Sequence, residues 1–260
     1  MAKSFIKAII NGFLSLFGLQ VIAKQDTKPK YPIDYPEYVP AVIETVRPYT
    51  MCGDDGLMIA MEAAQYVIKN GIEGDIVECG VWRGGCTMAM ALAMTHLNSF
   101  DRNLWMYDTF EGMTLPTDED IDKYNQSASS RLGQEAKTTL PYSRGLNVWC
   151  LATLDDVKSN ISTIAYPIEK FQLVKGDVAI TLSEVTPKRI SVLRLDTDWY
   201  ASTKLELELL YPKLVSGGVL IIDDYGDWQG ARKAADEYFS SLKNAPLLVR
   251  VDGSRVAIKP

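Results

Sequence analysis

Two short apolar runs that each end in aspartate constrain this chain more than any other feature. Ile190–Leu195 leads into Asp196, and Val219–Ile222 leads into Asp223 and Asp224. Runs this short and this well bounded are strands rather than helices, and their mostly apolar character suits the interior of a parallel sheet. Between them, Leu207, Leu210, Tyr211 and Leu214 recur at the spacing of one helix face, which predicts a helix over Ala201–Leu214. The segment is therefore a βαβ unit. Ends of neighbouring strands lie about 5 Å apart, so Asp196, Asp223 and Asp224 are expected to meet at the carboxyl edge, where open α/β sheets bind ligands. Three ionised carboxylates that close repel one another unless a hard cation such as Mg²⁺ or Ca²⁺ lies between them. The competing reading is a pair of solvated helix N-caps, a position aspartate favours.

The rest of the chain repeats the alternation. Helices are predicted over Gly56–Asn70, with Gly71 as the stop, and over Gly85–Leu97, Leu154–Ser162 and Trp228–Leu242; strands over Asp75–Cys79, Leu104–Tyr107 and Phe171–Val174. Asp252-Gly253 between the apolar runs Leu247–Val251 and Arg255–Lys259 marks a hairpin, so a mostly parallel sheet is expected to finish with an antiparallel edge pair. With 260 residues and 47% hydrophobic content, one α/β domain can bury a full core. A polar insertion at about 109–146 interrupts the pattern with room for a helix inside it, and its length marks it as functional.

The N-terminus departs from this pattern. Lys3 and Lys7 precede an uncharged stretch, Ala8–Ala23, that is broken by Asn11, Ser15 and Gln20 and is short of the roughly 20 apolar residues a spanning helix needs. Phe5, Ile6, Ile9, Ile10, Phe13 and Phe17 instead form one broad face of an amphipathic helix, suited to the protein body, a second subunit or a membrane surface. A secretory signal, with Val21 and Ala23 before a cleavage site, is the rival reading. A Pro- and Tyr-rich connector follows over Gln25–Pro40. The expected organisation is thus 1–45 for helix and connector and 46–260 for the α/β domain.

Composition removes several functions. A net charge of −6 without a dense Lys/Arg cluster excludes a nucleic-acid surface. Cys52, Cys79, Cys86 and Cys150 form no CxxC pair, which fits reduced thiols in a cytoplasmic protein. His96, the only imidazole, sits late in an apolar helix as a structural residue would. Without a suitable histidine, a general base has to be a carboxylate: Asp196 first, with Asp198 in reserve.

The turn Glu78-Cys79-Gly80-Val81-Trp82-Arg83-Gly84-Gly85 lacks the G-x-G-x-x-G spacing of a dinucleotide site, which argues against an NAD-type oxidoreductase. Gly80 and Gly84 would let backbone approach a ligand, and Glu78 before the turn suits an amine-bearing group; a purely structural strand-to-helix turn explains the same glycines. Asp108 ends the next strand as an acceptor for ribose hydroxyls would, and Lys175-Gly176-Asp177 ends the third.

These segments carry a resemblance that spans nearly the whole chain. Gly74 through Gly85, Tyr107-Asp108-Thr109-Phe110-Glu111-Gly112, Leu193 through Thr203, and Tyr211-Pro212-Lys213-Leu214 through Asp223-Asp224-Tyr225-Gly226 resemble the TylF/MycF family of macrocin-type, metal-dependent sugar O-methyltransferases. The resemblance implies a Rossmann-like class I methyltransferase fold: a mostly parallel seven-stranded sheet with an antiparallel C-terminal hairpin strand and helices on both faces. It implies S-adenosylmethionine as cofactor, with Glu78, Gly80 and Gly84 near its methionine end, Thr87 in the same set, Asp108 on the ribose, Gly176 and Asp177 near the adenine, and Thr50 with Met51 closing over it. It also implies Mg²⁺ at Asp196, Asp223 and Asp224, a hydroxylated small-molecule acceptor such as a sugar held by a lid or acceptor-binding insertion, and a homo-oligomer. A catechol- or phenol-type O-methyltransferase and a non-catalytic adenosyl-ligand module are the alternatives.

Overall fold

The structure, a computed structural model, describes residues 30–134 and 149–260. The amphipathic helix expected near the N-terminus and the 135–148 part of the insertion lie outside the described residues. The chain divides into two compact units, 1–35 and 36–260.

In the larger unit the described elements run α1 (Val39–Val46), α2 (Asp54–Lys69), β1 (Asp75–Cys79), α3 (Gly85–His96), β2 (Leu104–Asp108), α4 (Ala128–Gln134), α5 (Leu154–Ile161) and β3 (Phe171–Lys175). They continue as α6 (Val178–Glu184), β4 (Ile190–Leu195), α7 (Tyr200–Leu210), β5 (Leu214–Ile222), α8 (Gln229–Ser240), β6 (Val249–Val251) and β7 (Ser254–Ile258). The sheet has seven strands in the order β3-β2-β1-β4-β5-β7-β6. Pairing is parallel from β3 through β5 and antiparallel for β5 with β7 and β7 with β6. Strand order reverses between β1 and β4, and such a switch point leaves a crevice at the carboxyl edge for a ligand.

Both faces of the sheet are covered, which is why β4 is buried along its whole length and reads as an apolar run broken only by Ser191 and Arg194. On one side Val77, Leu193, Leu195, Leu220 and Ile222 pack with Leu207, Leu210 and Phe239 from α7 and α8. Among the described residues no helix is long and apolar enough to cross a membrane.

Three elements differ from the sequence reading. The helix expected to reach Leu214 stops at Leu210, a single 3₁₀ turn spans Tyr211–Lys213, and β5 begins at Leu214. Pro212 ends the α-helix because its ring and missing N–H cannot continue it. The pairing of β4 with β5 then jumps from Ile190↔Leu214 to Val192↔Val219, a bulge centred on Gly217 at φ +80°. Second, α1 begins inside the stretch read as connector; Pro40 occupies its first turn, where the missing N–H would have no helix partner anyway. Third, α6 was not anticipated, because its short sequence is held as a helix by a cap from Asp177 rather than by periodicity.

Candidate active site

A cavity of about 310 Å³ opens at the carboxyl edge around the β1/β4 switch point. Thr50, Met51, Glu78, Gly80, Asp108, Gly176, Asp177, Asp196, Asp223 and Asp224 all line it, so strand ends far apart in sequence share one wall. Gly84 and Thr87 do not: the first faces inward, and the second stands behind Glu78.

The centre of the site is a residue the sequence reading left without a role. Arg194 is 2% exposed near the end of β4. Its Nη1 donates to Glu78 Oε1 and to Asp196 Oδ2, both at 2.6 Å, and its Nη2 pairs with Asp223 Oδ1 at 2.8 Å. Burial disfavours the guanidinium charge, but Asp196 and Asp223 more than offset it, so Arg194 stays protonated. A charged residue inside the run Ser191-Val192-Leu193-Arg194-Leu195 was the signal available, because a buried arginine requires buried counter-charges.

Around Arg194 the carboxylates outnumber the cation. Candidate ligand oxygens of Asp196, Asp223 and Asp224 lie within 4.8 Å of one another. Arg194 engages one oxygen each of Asp196 and Asp223, and both residues line the cavity. Burial raises Asp196 well above the usual carboxylate range, Arg194 pulls it back, and Asp223 and Asp224 push it up again. Its side chain is 30% exposed, so solvent tempers that rise. Asp198, in the left-handed region at φ +65°, is pushed up to about 7 by burial and by Asp196 and Asp223. Its backbone N–H donates to Asp224 Oδ2 at 3.0 Å, which ties the β4 loop to the β5 loop. The solvated-cap reading fails for Asp224, which is 7% exposed, and neither Asp196 nor Asp223 caps a helix through its side chain.

The other strand ends are held differently. Glu78 is 2% exposed, accepts from Arg194 through one oxygen and from the Thr87 hydroxyl through the other. Burial raises its pKa, against the pull of Arg194 and Thr87. Part of the cationic partner expected for Glu78 is therefore Arg194 itself. Asp108 accepts from the backbone N–H groups of Val81 at 2.9 Å and Trp82 at 3.1 Å through Oδ2, and of Phe110 at 2.7 Å through Oδ1. Trp82 and Phe110 sit at positive φ, so this carboxylate fixes two strained turns while facing the cavity. Burial raises its pKa against those three bonds. Asp177 caps α6 by accepting from Ala179 N–H at 2.9 Å.

The two glycines of the turn serve packing first. At Gly80, φ is +80° and a Cβ would collide with the Asp196 carbonyl, where the chain leaving β1 passes close to the chain leaving β4. At Gly84, φ is +88° and a Cβ would meet Met106 at 3.2 Å and Val157 at 3.4 Å, away from the cavity. Backbone approach to a ligand is thus available at Gly80 and not at Gly84.

Glu206 was also missed. It is fully buried on α7, takes the Thr197 hydroxyl at 3.0 and 3.1 Å, and is raised to about 8 by burial. Nothing in Lys204-Leu205-Glu206-Leu207 distinguishes it from a solvated helix position. His96 stacks on Tyr38 at 4.2 Å between ring centroids and does not line the cavity. Trp199 is core: 2% exposed, edge-on to Trp228 at 4.9 Å, with Nε1 donating to the Thr114 carbonyl at 3.1 Å. Trp228 rather than Trp199 reaches the cavity wall.

A switch-point cavity under this strand order defines a class I, Rossmann-like methyltransferase. The solved O-methyltransferase NovP matches with a TM-score of 0.68 at 27% identity, covering 81% of this chain and 82% of that one. The model of the macrocin-O-methyltransferase (TylF) family matches residues 41–259, and the chain belongs to that family; it is an O-methyltransferase. It is 32% identical over 206 residues to mycinamicin III 3''-O-methyltransferase of Micromonospora griseorubida, covering 78% of this chain and 75% of the relative. Over 208 residues it is 29% identical to 8-demethyl-8-(2,3-dimethoxy-alpha-L-rhamnosyl)-tetracenomycin-C 4'-O-methyltransferase of Streptomyces olivaceus, covering 80% and 74%.

Proposed function

We propose that this protein transfers a methyl group from S-adenosylmethionine to a sugar hydroxyl of a glycosylated small molecule, with a divalent cation held by Asp196, Asp223 and Asp224. One observation carries the reading: the acidic trio shares a cavity with Glu78, Gly80 and Asp108, so acceptor and cofactor positions adjoin. The donor set is all carboxylate oxygen, which suits Mg²⁺ or another hard cation. The names of the mycinamicin and rhamnosyl-tetracenomycin relatives support a sugar acceptor.

When bound, the cofactor supplies an electrophilic methyl and the cation lowers the effective pKa of the hydroxyl it polarises. Glu78 offers a carboxylate to an amine, and Asp108 keeps acceptor capacity for hydroxyls beyond its three backbone bonds. Arg194 holds Asp196 and Asp223 through one oxygen each and leaves the second oxygen of each without a bond to the guanidinium. Asp196 Oδ1, which Arg194 leaves alone, would take the proton of the acceptor hydroxyl as its oxygen bonds to the methyl group and the methyl–sulfur bond of the cofactor breaks, the sulfonium leaving as a neutral thioether. Trp228 and Met113 belong to the apolar part of the wall, together with Met51, Val81, Trp82 and Val178, which would hold the reacting atoms in line and limit access of water.

The test is methyl transfer from labelled S-adenosylmethionine to neutral glycosides and to phenolic acceptors, with and without EDTA. Transfer to a sugar hydroxyl, lost in EDTA and restored by Mg²⁺ while calorimetric cofactor binding persists, is expected. A full rate in EDTA removes the cation, and transfer confined to phenols removes the sugar.

A further inference from the structure

A second cavity of about 710 Å³ adjoins the catalytic one, and Asp227 and Trp228 belong to both walls. Arg250 and Arg255 line it as direct cross-strand partners in the β6–β7 pair. Like charges placed opposite each other on antiparallel strands destabilise the pair. Neither guanidinium meets a carboxylate among the described residues. Arg250 Nε donates to the Asp252 carbonyl at 2.8 Å, Arg255 Nη1 to the Ser254 carbonyl at 3.0 Å, and Arg255 lies 4.4 Å from the Tyr225 ring centroid.

The other cations of this wall are occupied. Lys123 pairs with Asp227 at 2.6 Å, Lys233 with Glu119 at 2.9 Å and Arg232 with Asp236 at 3.5 Å, while Glu237 faces Lys204 at 3.6 Å. Two guanidinium groups therefore stand against one lining carboxylate, Asp118, that has no ion pair among the described residues. A guanidinium fork matches the geometry of phosphate or carboxylate oxygens and binds them through paired, charge-assisted hydrogen bonds.

We propose that the Arg250–Arg255 pair is an anion subsite for the acceptor, so that the preferred substrate is a sugar bearing a phosphate, diphosphate or carboxylate, with the anion in the second cavity and the methylated hydroxyl at Asp196. The inference rests on the sugar O-methylation reading for the catalytic end, but the subsite can be tested without turnover.

The first measurement is calorimetric titration of inorganic pyrophosphate into the whole protein in EDTA, where no cation bridges it to the aspartates. Binding to wild type that weakens about tenfold in each of Arg250→Gln and Arg255→Gln, and further in the double variant, is expected. S-adenosylmethionine affinity should stay unchanged in all three, which controls for folding. The second compares KM for a nucleoside-diphosphate sugar, a glucuronide and a neutral methyl glycoside; the first two arms distinguish phosphate from carboxylate. The double variant should raise KM for the anionic acceptor about tenfold or more with little change in kcat, and leave the neutral glycoside unaffected. Absent pyrophosphate binding in wild type, equal binding in the double variant, or a wild type that prefers the neutral glycoside overturns the subsite. Pyrophosphate binding that depends on the two arginines, with no transfer to any sugar, supports the subsite and removes the sugar O-methylation reading instead.

Discussion

The two halves of the cavity wall use their carboxylates in opposite ways. On the β1–β2–β3 side each acid is already bonded within the chain: Glu78 to Arg194 and Thr87, Asp108 to three backbone N–H groups, Asp177 to its helix. On the β4–β5 side, Asp196, Asp198, Asp223 and Asp224 crowd together with Arg194 as the guanidinium among them, and burial and neighbouring carboxylates raise the pKa of Asp196, Asp198 and Asp224. The first half is a preformed surface that a ligand joins. The second carries excess negative charge, which a cation relieves. Arg194 touches both, so the halves are tuned through one side chain.

The largest effect is expected there, because removing Arg194 breaks the comparison at its hinge. Arg194→Met leaves Glu78, Asp196 and Asp223 without their shared counter-charge and should cost about 3–5 kcal/mol in denaturant unfolding. Arg194→Lys keeps the charge but loses the fork, so it should fold and bind both cofactor and metal more weakly. If only one affinity falls, the two halves are independent.

Next in size, Asp196→Asn should lower kcat by about 10²–10⁴-fold, the range of a lost general base, and excess Mg²⁺ should not restore it. Asp223→Asn and Asp224→Asn should recover in part with excess Mg²⁺, since they remove a ligand but not the base. Equal rescue of all three would take the base role away from Asp196.

On the preformed side the effects should be smaller and should appear in binding. Asp108→Asn points an amide at backbone N–H donors and should cost about 1–3 kcal/mol of stability, with weaker calorimetric cofactor binding and unchanged metal affinity.

The smallest predicted effect concerns Glu206, which supports the Asp196-Thr197-Asp198 turn from behind. Its folded pKa of about 8 lies above the ordinary glutamate value of 4.5. The stabilisation tied to its proton is complete below that lower value and is lost as pH rises towards about 8, because the unfolded chain releases the proton first. Melting temperature should fall across that window by roughly 2–4 °C per pH unit relative to Glu206→Gln, which lacks the slope. Parallel melting curves for the two proteins would show that Glu206 is ionised when folded.

Much of this architecture is legible in order along the chain. The parallel strands appear as bounded apolar runs because both faces of the sheet are covered, and the Asp-Gly turn announces the hairpin because few residues tolerate its backbone. The convergence of Asp196, Asp223 and Asp224 also follows from strand order alone, since adjacent parallel strands bring their ends together. The extent of α7 and the start of β5 are less legible, because an apolar face at helical spacing continues through Pro212 while the sheet demands a bulge at Gly217.

What only the tertiary structure decided is which charges answer which. Arg194 meets Glu78 across 116 positions of sequence, and Asp108 bonds Val81 across 27. Local pattern records whether a residue is apolar, small or charged and how often it recurs, because burial of one face repeats with the element. The partner of a buried charge has no such period: it is set by which strand ends the sheet order makes neighbours, and so it exists only once the chain has folded.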